Sequence, residues 1–525
     1  MTKAIKFKKK AAEIIMESIK SVVYIDEKAW NPFDGTIFKK DINEHGISKQ
    51  LYKNLKQQGI NLNVHQFHPG EEDLPINHTL KRYLFNDIDL VLLDWDLDDV
   101  ELNTTALKLL NDVIIQPHIH FCCIYSASPA FDDIIKKVKS YFSGYSKADY
   151  DQISALFEDN DEIVEIINKV DITSSPQGAM VGEIMKIDNS ILSEVTKITK
   201  VDKVHSLIPM AISINKALSK SVTALEYPLE IISEVNSEHT LIINNTIIAI
   251  LNKGKNRPEN FINNFSNHVA KDKTKSFFKL LGLDMQNQFS KYGAFINPEI
   301  LNISFNTFMH HRVQINASGT RPSFEDFIKD LFIENSKLNL LNADLKLLHN
   351  GFLDEFKAVK KHLTNQELAL VNCFYNGAKL IGNKALNFGD IFLDEEHNSY
   401  YLCITALCDC LHPDKIKNKF FFVKNTGLIS IDKAIKLGDT SHISYIDDSV
   451  CVKWSGDDEF VKPRQYYISN NIINNFTLSI NDWDGGKPVS RTIKYVFTLK
   501  QNYAQRIANQ AFSHPMRVGV DFVKM

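Results

Sequence analysis

Polar residues that could do chemistry together follow three apolar runs near the start of the chain. The first run ends in the adjacent carboxylates Asp26 and Glu27, the second ends in Asp94, and the third ends in Ser126. Carboxylates joined by a carbonyl and by waters form the oxygen cage that Mg²⁺ prefers. A carboxylate beside such a cation can attack phosphorus, because the metal offsets the repulsion between two anions. These residue types therefore predict acceptance of a phosphoryl group on Asp94.

This chemistry also needs a cation and a hydroxyl donor for the transferring oxygens. Lys147, in the segment Gly144-Tyr-Ser-Lys-Ala148, is the candidate cation, and Ser126 is the candidate hydroxyl. We expect Mg²⁺ as the cofactor. Its predicted ligands are the side chains of Asp26, Glu27 and Asp94 and the backbone carbonyl of Asp96.

The secondary-structure elements that must position these residues alternate between strands and helices. Apolar, strand-like runs alternate with stretches of helical periodicity, and the runs are Ser21–Ile25, Ile60–Phe67, Ile88–Leu93 and His118–Tyr125. This alternation predicts βα units around a doubly wound parallel sheet, a (βα)5 arrangement. The carboxyl ends of parallel strands meet at one edge, where ligands bind, so the polar residues should converge there.

The rest of the chain divides by pattern into a helical part and a β-rich part. From about residue 150 to 370 the apolar residues recur at helical spacing, and Ile243 to Leu251 and Leu338 to Leu363 are among the predicted helices. After residue 376, short strands and turns predict a small β-barrel closed by a last helix, Gln501 to Phe512. We therefore expect a multidomain α/β + α + β chain with domains at 1–165, 166–370 and 371–525.

Composition restricts the class of protein. The 525 residues are 44% hydrophobic and 24% charged with a net charge of −4, which does not favour a nucleic-acid or membrane partner. No apolar stretch is long enough for a transmembrane helix. Seven scattered cysteines favour a reducing, cytoplasmic location. Cys408 and Cys410 with His412 lack the second ligand pair of a structural zinc site.

The ordered set of N-terminal residues resembles the receiver domains of two-component response regulators. The matching features are the acidic pair Asp26 and Glu27, the acceptor Asp94, Ser126 with the Ala after it, and Lys147. The resemblance implies that a sensor histidine kinase donates the phosphoryl group, and that the chain is a phosphoacceptor rather than a turnover enzyme. Two features depart from the family: a longer interval before Asp94, and Ala148 where Pro usually follows the Lys.

The overall architecture resembles the receiver proteins of Detocs-type antiphage defence systems. That resemblance implies a relay or signal buffer in a bacterial phosphorelay, with a second receiver or an effector protein as a further partner.

Other interpretations remain open from the residues alone. Glu27 and Ser126 could cap helices, Asp94 could be a solvated carboxylate, and Lys147 could be an ordinary surface lysine. The chain would then be a receiver-like scaffold whose C-terminal domain binds protein or nucleic acid. A third interpretation is an enzyme with a C-terminal site near Asp409 and Arg506. The basic stretch Lys253-Gly-Lys-Asn-Arg257 is short and is typical of a solvated loop.

Overall fold

The computed structural model describes most of the chain. The described residues are 3–512, except for 34, 36, 98–102, 128–129, 173–177, 200, 216–217, 219–239, 271–272, 293–303, 318–323, 354–362, 380–382, 439–441, 456–460 and 485–486. The chain forms two compact units, one of residues 1–294 with 339–355 and the other of residues 295–338 with 356–525.

The first unit is built on a six-stranded sheet in the order β2-β1-β3-β4-β6-β5. The strands are β1 (Ser21–Asp26), β2 (Asn61–Gln66), β3 (Leu90–Leu93), β4 (His120–Ser126), β5 (Thr240–Ile243) and β6 (Thr246–Asn252). Five of these strands run parallel, and β5 pairs antiparallel with β6 at one edge. The predicted doubly wound parallel sheet is confirmed.

Helices cover both faces of this sheet, which explains why its central strands are continuous apolar runs. The helices are α1 (Lys3–Ser18), α2 (Asn43–Gln57), α3 (Thr79–Phe85), α4 (Thr104–Ile114) and α5 (Phe131–Tyr141). One face packs Val23, Val91 and Ile124 against buried residues of α4 and α5. On the other face, the ring of Tyr125 packs edge-on against Phe261.

The fifth parallel strand lies far beyond the predicted first domain. After α5 the chain forms a helical insertion, with α6 (Lys147–Ala155), α7 (Asp161–Asn168), α8 (Gly178–Ile187), α9 (Ile191–Thr199) and α10 (Leu207–Ile214) around a core of their own. Only then does β6 return to the sheet beside β4. The sheet therefore draws on residues outside the predicted range 1–165.

The predicted helix at Ile243 to Leu251 is wrong. Those residues form the end of β5, a tight turn at Asn244 with φ of 51°, and most of β6. The run is rich in β-branched residues, and burial on both faces of a parallel sheet needs no alternation of apolar and polar residues. After β6 come α11 (Phe261–Val269) and α12 (Lys273–Tyr292), which lie in the part of the chain, residues 150 to 370, where the sequence predicts helices.

Helices also begin the second unit. They are α13 (Phe305–Ala317), α14 (Phe324–Leu340) and α16 (Asn365–Asn376), while a short α15 (Asn350–Leu353) lies in the first unit. The predicted helix Leu338 to Leu363 is wrong in its described part, because α14 ends at Leu340 and turns precede α15. Residues 354–362 of that prediction lie outside the described residues.

A closed barrel of six antiparallel strands follows, which confirms the predicted small barrel. Its strands are β9 (Asp390–Asp394), β10 (Ser399–Cys403), β11 (Lys419–Lys424), β15 (Pro463–Tyr467), β17 (Thr477–Asp484) and β18 (Lys487–Leu499), and pairing of β17 with β18 closes the circle. Additional short strands are β7 (Gly377–Ala378), β8 (Lys384–Ala385), β12 (Gly427–Ile429), β13 (Ile443–Tyr445), β14 (Cys451–Lys453) and β16 (Ile472–Ile473). The remaining helices are α17 (Leu407–Leu411), α18 (Ile431–Leu437) and the closing α19 (Gln501–Ala511).

Apolar and aromatic side chains fill the barrel. Phe392, Tyr401, Phe422 and Tyr466 form one buried cluster there, which counts against a polar catalytic cavity inside the barrel. Cys410 is buried on α17, whereas Cys408 is exposed. Among the described helices of the whole chain, none is both long enough and apolar enough to cross a lipid bilayer.

Candidate functional site

Asp26 is a fully buried carboxylate at the end of β1. Its Oδ2 accepts hydrogen bonds from the Tyr24 hydroxyl at 2.5 Å and from Lys253 Nζ at 2.7 Å. Its Oδ1 accepts from the backbone N–H of Lys28 at 2.7 Å. Burial, and next the charge of Asp26, raise the pKa of Tyr24 well above its usual value, so Tyr24 is a neutral donor. The carboxylate of Asp26 is thus fixed from both oxygens.

Asp94 follows β3 on the neighbouring strand and is 6% exposed. Its backbone N–H donates to Ile25 O at 2.9 Å and so continues the parallel pairing of β3 with β1. Its Oδ1 accepts from the N–H of Trp95, also at 2.9 Å. This pairing places the carboxylate at the carboxyl edge of the sheet, beside Asp26, as the sequence predicted.

Lys253 joins the two carboxylates. The residue comes directly after β6, and its own N–H donates to Ser126 O at 2.9 Å. Its buried Nζ lies 2.7 Å from Asp26 Oδ2 and 2.9 Å from Asp94 Oδ2. Burial alone lowers the pKa of Lys253, but Asp26 and then Asp94 outweigh that effect, and the net pKa is raised. Lys253 is therefore a permanent ammonium between two carboxylates.

One ammonium does not neutralise two buried carboxylates. Burial raises the pKa of Asp94 to about 7; the charge of Lys253 opposes the rise, and the charge of Asp26 adds to it. A buried carboxyl group with a raised pKa marks a place where a further positive charge would be stabilised. The donor set is all oxygen, which suits a hard divalent cation such as Mg²⁺.

Ser126 and Asp96 lie at the same edge of the sheet, at the end of β4 and in the loop after β3. Ser126 is buried at the end of β4, and its hydroxyl contacts Asp96 Oδ2 at a long 3.4 Å. Asp96 is exposed, and its Oδ1 lies 3.4 Å from Asn103 Nδ2. Lys137 of α5 donates to Asn103 Oδ1 at 2.8 Å. The structure therefore brings Asp26, Asp94 and Ser126 to one edge, with Asp96 at the rim.

Two predicted residues are placed differently. Lys147 is exposed and is the first residue of α6, whose start is fixed by the reciprocal capping bonds of Ser146 and Asp149. The chain after α5 begins a helix instead of a strand, and among the described residues no ion pair joins Lys147 to Asp26 or Asp94. Lys253 occupies the position beside the two carboxylates that we predicted for Lys147. Glu27 follows Asp26, but its carboxylate pairs with exposed Lys28.

Sequence reasoning missed Lys253 because its strand was interpreted as a helix. A signal was present: Thr246-Ile-Ile-Ala-Ile-Leu251 is an apolar run dominated by β-branched residues, and Asn252-Lys-Gly254 ends it abruptly. The same pattern of buried run and polar end identified Asp94.

A second group of potential metal ligands lies in the barrel. Among the described residues, the one cluster of three His, Cys, Asp or Glu ligand atoms consists of Asp394, Glu396 and His397. Arg491 already lies 3.5 Å from Asp394 Oδ2 and contacts the His397 ring at 2.9 Å. The carboxylate of Asp394 and the ring of His397 therefore already contact a cation, which disfavours a second cation at this cluster.

Comparison with known proteins identifies the class of the N-terminal part. Residues 18–174 match the family of the response receiver domain, and the parallel sheet with its flanking helices fits that fold. The matched range includes Asp26, Asp94 and Ser126, but it ends before β6 and Lys253. No curated protein and no solved structure matches this chain.

Proposed function

We propose that the chain is a phosphoacceptor response regulator that takes a phosphoryl group onto Asp94. The observation that carries the proposal is the bridge of Lys253 Nζ between Asp26 and Asp94 at 2.7 and 2.9 Å. An ammonium held at hydrogen-bond distance from a buried nucleophilic carboxylate can move with the phosphoryl oxygens as they arrive.

The donor in this proposal is the phosphohistidine of a sensor histidine kinase. An oxygen of the Asp94 carboxylate forms a new bond to phosphorus, the phosphorus–nitrogen bond breaks, and the leaving imidazole takes up a proton. Asp94 must be ionised to react, and its pKa of about 7 leaves a large protonated fraction at neutral pH. Lys253 favours the ionised form, and in this proposal the Ser126 hydroxyl donates to a phosphoryl oxygen.

Asp26 and Asp94, with the carbonyl of Asp96, would hold Mg²⁺ in this site. Bound Mg²⁺ would supply charge neutralisation for the anionic nucleophile and the anionic donor. Receiver domains in general bind Mg²⁺ at their acidic pocket, which supports this cofactor. Glu27 would join as a ligand only after it leaves Lys28.

The test of the function is the intact mass of the full chain after incubation with Mg²⁺ and acetyl phosphate. Wild type should gain one phosphoryl group, and Asp94→Asn should gain none while keeping the same circular dichroism spectrum. Equal labelling of both proteins would exclude Asp94 as the acceptor. A purified histidine kinase in place of acetyl phosphate would test the proposed donor in the same way.

We further propose that the chain works as a relay or signal buffer in bacterial antiphage defence, with a second receiver or an effector as partner. The apolar filling of the barrel supports a role without catalysis in that part of the protein. Transfer of the labelled phosphoryl group from this chain to a purified second receiver would support a relay, whereas retention by this chain would support a buffer.

A second candidate function is a receiver-like scaffold without phosphorylation. The observation that favours it is the ion pair of Glu27 with Lys28, which keeps Glu27 from joining Asp26 and Asp94 as a third acidic ligand. Among the described residues, no group of three ligand atoms is gathered at this edge of the sheet. Titration of the full chain with Mg²⁺, followed by tryptophan fluorescence because Trp95 adjoins Asp94, separates the two functions. Saturable millimolar or tighter binding that Asp94→Asn abolishes supports the phosphoacceptor, and its absence supports the scaffold.

A further inference from the structure

A groove of about 780 Å³ runs along the outer edge of β2, on the far side of the sheet from β6. Its lining comes from four pieces of the first unit: the loop of residues 30–33, the helices α2 and α3, and the strand β2 itself. Gln66 of the lining pairs with Asp26 in the β1–β2 ladder, but no side chain of the lining is among the hydrogen-bond or ion-pair partners described above for the carboxylates of Asp26 and Asp94 and the ammonium of Lys253. We call this feature the β2 groove.

The floor of the β2 groove is a strand edge with free pairing capacity. β2 pairs with β1 on one side alone, and the N–H groups of Asn61 and Phe67 donate to Lys20 O and Asp26 O of that side. Since alternate residues of a parallel strand point to opposite neighbours, the backbone groups of Leu62 and Val64 point outward. Neither N–H has a hydrogen-bond partner within the part of the chain that the structure describes.

This edge lacks the features that block strand addition. Natural edge strands are protected by Lys, Pro or a bulge, and the β2 sequence Asn-Leu-Asn-Val-His-Gln contains neither residue type and keeps a regular register. Right-handed crossovers place α2 and α3 on opposite faces of the sheet. A strand added beside β2 would therefore be covered on both faces, like an interior strand of the sheet.

Aromatic side chains on the walls are exposed to an unusual extent. Phe33 is 90% exposed, Tyr52 of α2 is 46% exposed, and Tyr83 of α3 is 62% exposed. Three large aromatic residues around one groove form an apolar surface of the kind that marks interaction sites. They offer contacts for the alternate side chains of an added strand.

The charge of the β2 groove is positive. Lys49 and Lys53, one turn apart on α2, both line it, and its lining contains no carboxylate. Among the described residues, no carboxylate lies within ion-pair distance of either ammonium, and Lys49 packs over the Phe38 ring instead. Like charges at this spacing destabilise a helix. A bound anionic partner would relieve this repulsion between Lys49 and Lys53.

We propose that the β2 groove binds an extended acidic segment of a partner protein, which adds as a strand to the edge of β2. The outward N–H and C=O groups of Leu62 and Val64 pair with the backbone of the segment. Its apolar residues contact Tyr52 and Tyr83, and its carboxylates face Lys49 and Lys53. A second copy of this chain would bring the same lysines to the interface and would be repelled, so we assign the groove to a different, acidic partner.

The experiment is a selection of peptides from a random dodecapeptide display library on the full-length protein. We expect enriched sequences with carboxylates and alternating apolar residues. The affinity of the most enriched peptide, synthesised with a fluorophore, is then measured by fluorescence polarisation. Lys49→Glu combined with Lys53→Glu should weaken binding by at least about tenfold, because it replaces two attractive charges with repulsive ones. Lys433→Glu combined with Lys436→Glu, exposed on α18, makes the same change of net charge and should leave the affinity unchanged.

A backbone variant tests the strand addition itself. Leu62→Pro removes an outward N–H at a position that is only partly buried, and it should abolish peptide binding. A cooperative melting transition close to that of wild type is the check of folding. The absence of any enriched acidic peptide, or equal affinity of wild type and the Lys49→Glu/Lys53→Glu variant, would overturn the proposal. A dimer of wild type that Leu62→Pro converts to a monomer would also overturn it, because the occupant would then be a second copy.

Discussion

Lys253 Nζ donates to Asp26 Oδ2 at 2.7 Å, although the two residues are 227 positions apart in sequence. The same ammonium reaches Asp94 Oδ2 at 2.9 Å. The charge balance of the acidic edge therefore depends on a residue on the far side of the helical insertion.

Removal of this ammonium should slow phosphoryl acceptance by Asp94. Lys253→Ala should slow the phosphorylation of the chain by acetyl phosphate about 10²-fold or more, as expected for loss of a preorganised donor to a developing charge. The measurement is the rate of mass gain. Lys147→Ala is the matched control and should keep the wild-type rate, because Lys147 is exposed on α6. A slow Lys147→Ala protein with a normal Lys253→Ala protein would reverse the assignment.

The stability of the chain without Mg²⁺ should fall as the pH rises from about 4 to about 7. Burial raises the pKa of Asp94 to about 7 in the folded protein, against about 4 in an unfolded chain. Between these values the folded state binds more protons than the unfolded state, so the free energy of unfolding decreases with rising pH. Urea denaturation at several pH values measures this slope.

Two comparisons assign that slope to Asp94. Asp94→Asn should flatten it, since the amide does not ionise, and added Mg²⁺ should oppose it by favouring the carboxylate. An unchanged slope in Asp94→Asn would mean that other groups cause the dependence. The initial rate of phosphorylation should rise with pH through about 7, because the ionised carboxylate is the nucleophile.

The hydroxyl of Tyr24 should contribute measurably to stability. Tyr24→Phe keeps the buried ring and removes the 2.5 Å bond to Asp26, so we expect a loss of about 2 kcal/mol, the range for bonds to charged groups. Tyr125→Phe is the control, because its hydroxyl donates at 2.6 Å to the neutral carbonyl of Asn256 and should contribute about 1 kcal/mol. Urea denaturation gives both values. A smaller loss in the free energy of unfolding for Tyr24→Phe than for Tyr125→Phe would contradict a hydrogen bond from Tyr24 to an ionised Asp26.

The core of the barrel should be sensitive to cavities. Phe422 is fully buried, with its ring centroid 5.6 Å from that of Tyr466, so Phe422→Ala should cost about 3–5 kcal/mol. Phe476→Ala removes the same atoms from a residue that is 41% exposed, and it should cost less than about 1 kcal/mol. Thermal unfolding monitored by circular dichroism compares the two. Similar losses would mean that the barrel interior is not packed as described.

The sequence predicted those parts of the fold in which local pattern and burial agree. The run that precedes Asp94 is short, apolar and followed at once by a carboxylate, so both the strand and its polar end were recognised. Parts of five of the six barrel strands follow from the same kind of pattern, whereas β15 (Pro463–Tyr467) was not predicted. Asp26 and Ser126 followed from the convergence of parallel strands at one edge.

The rest depended on tertiary pairing that the local pattern indicates only weakly. An apolar run such as Ile247–Leu251 is compatible with a buried strand or a buried helix. Its β-branched residues favour the strand, and its pairing with β4 decides between the two. Local patterns also contain no measure of how long the insertion before the last strand is. Lys147 lies at the distance from Ser126 that is usual for the family, whereas the fold delays the return to the sheet until β6.

Because β6 comes late in the sequence, the sheet of the first unit cannot be completed until about 250 residues have been synthesised. During synthesis the acidic residues of β1 and β3 leave the ribosome long before Lys253, and β4 at that time has an open edge. Until the last strand arrives, the nascent sheet carries two carboxylates without their ammonium and an apolar edge available to other chains. A fragment that stops at residue 174, where the family match ends, lacks both β6 and Lys253, and we expect the receiver part to fold stably only when the chain extends through β6.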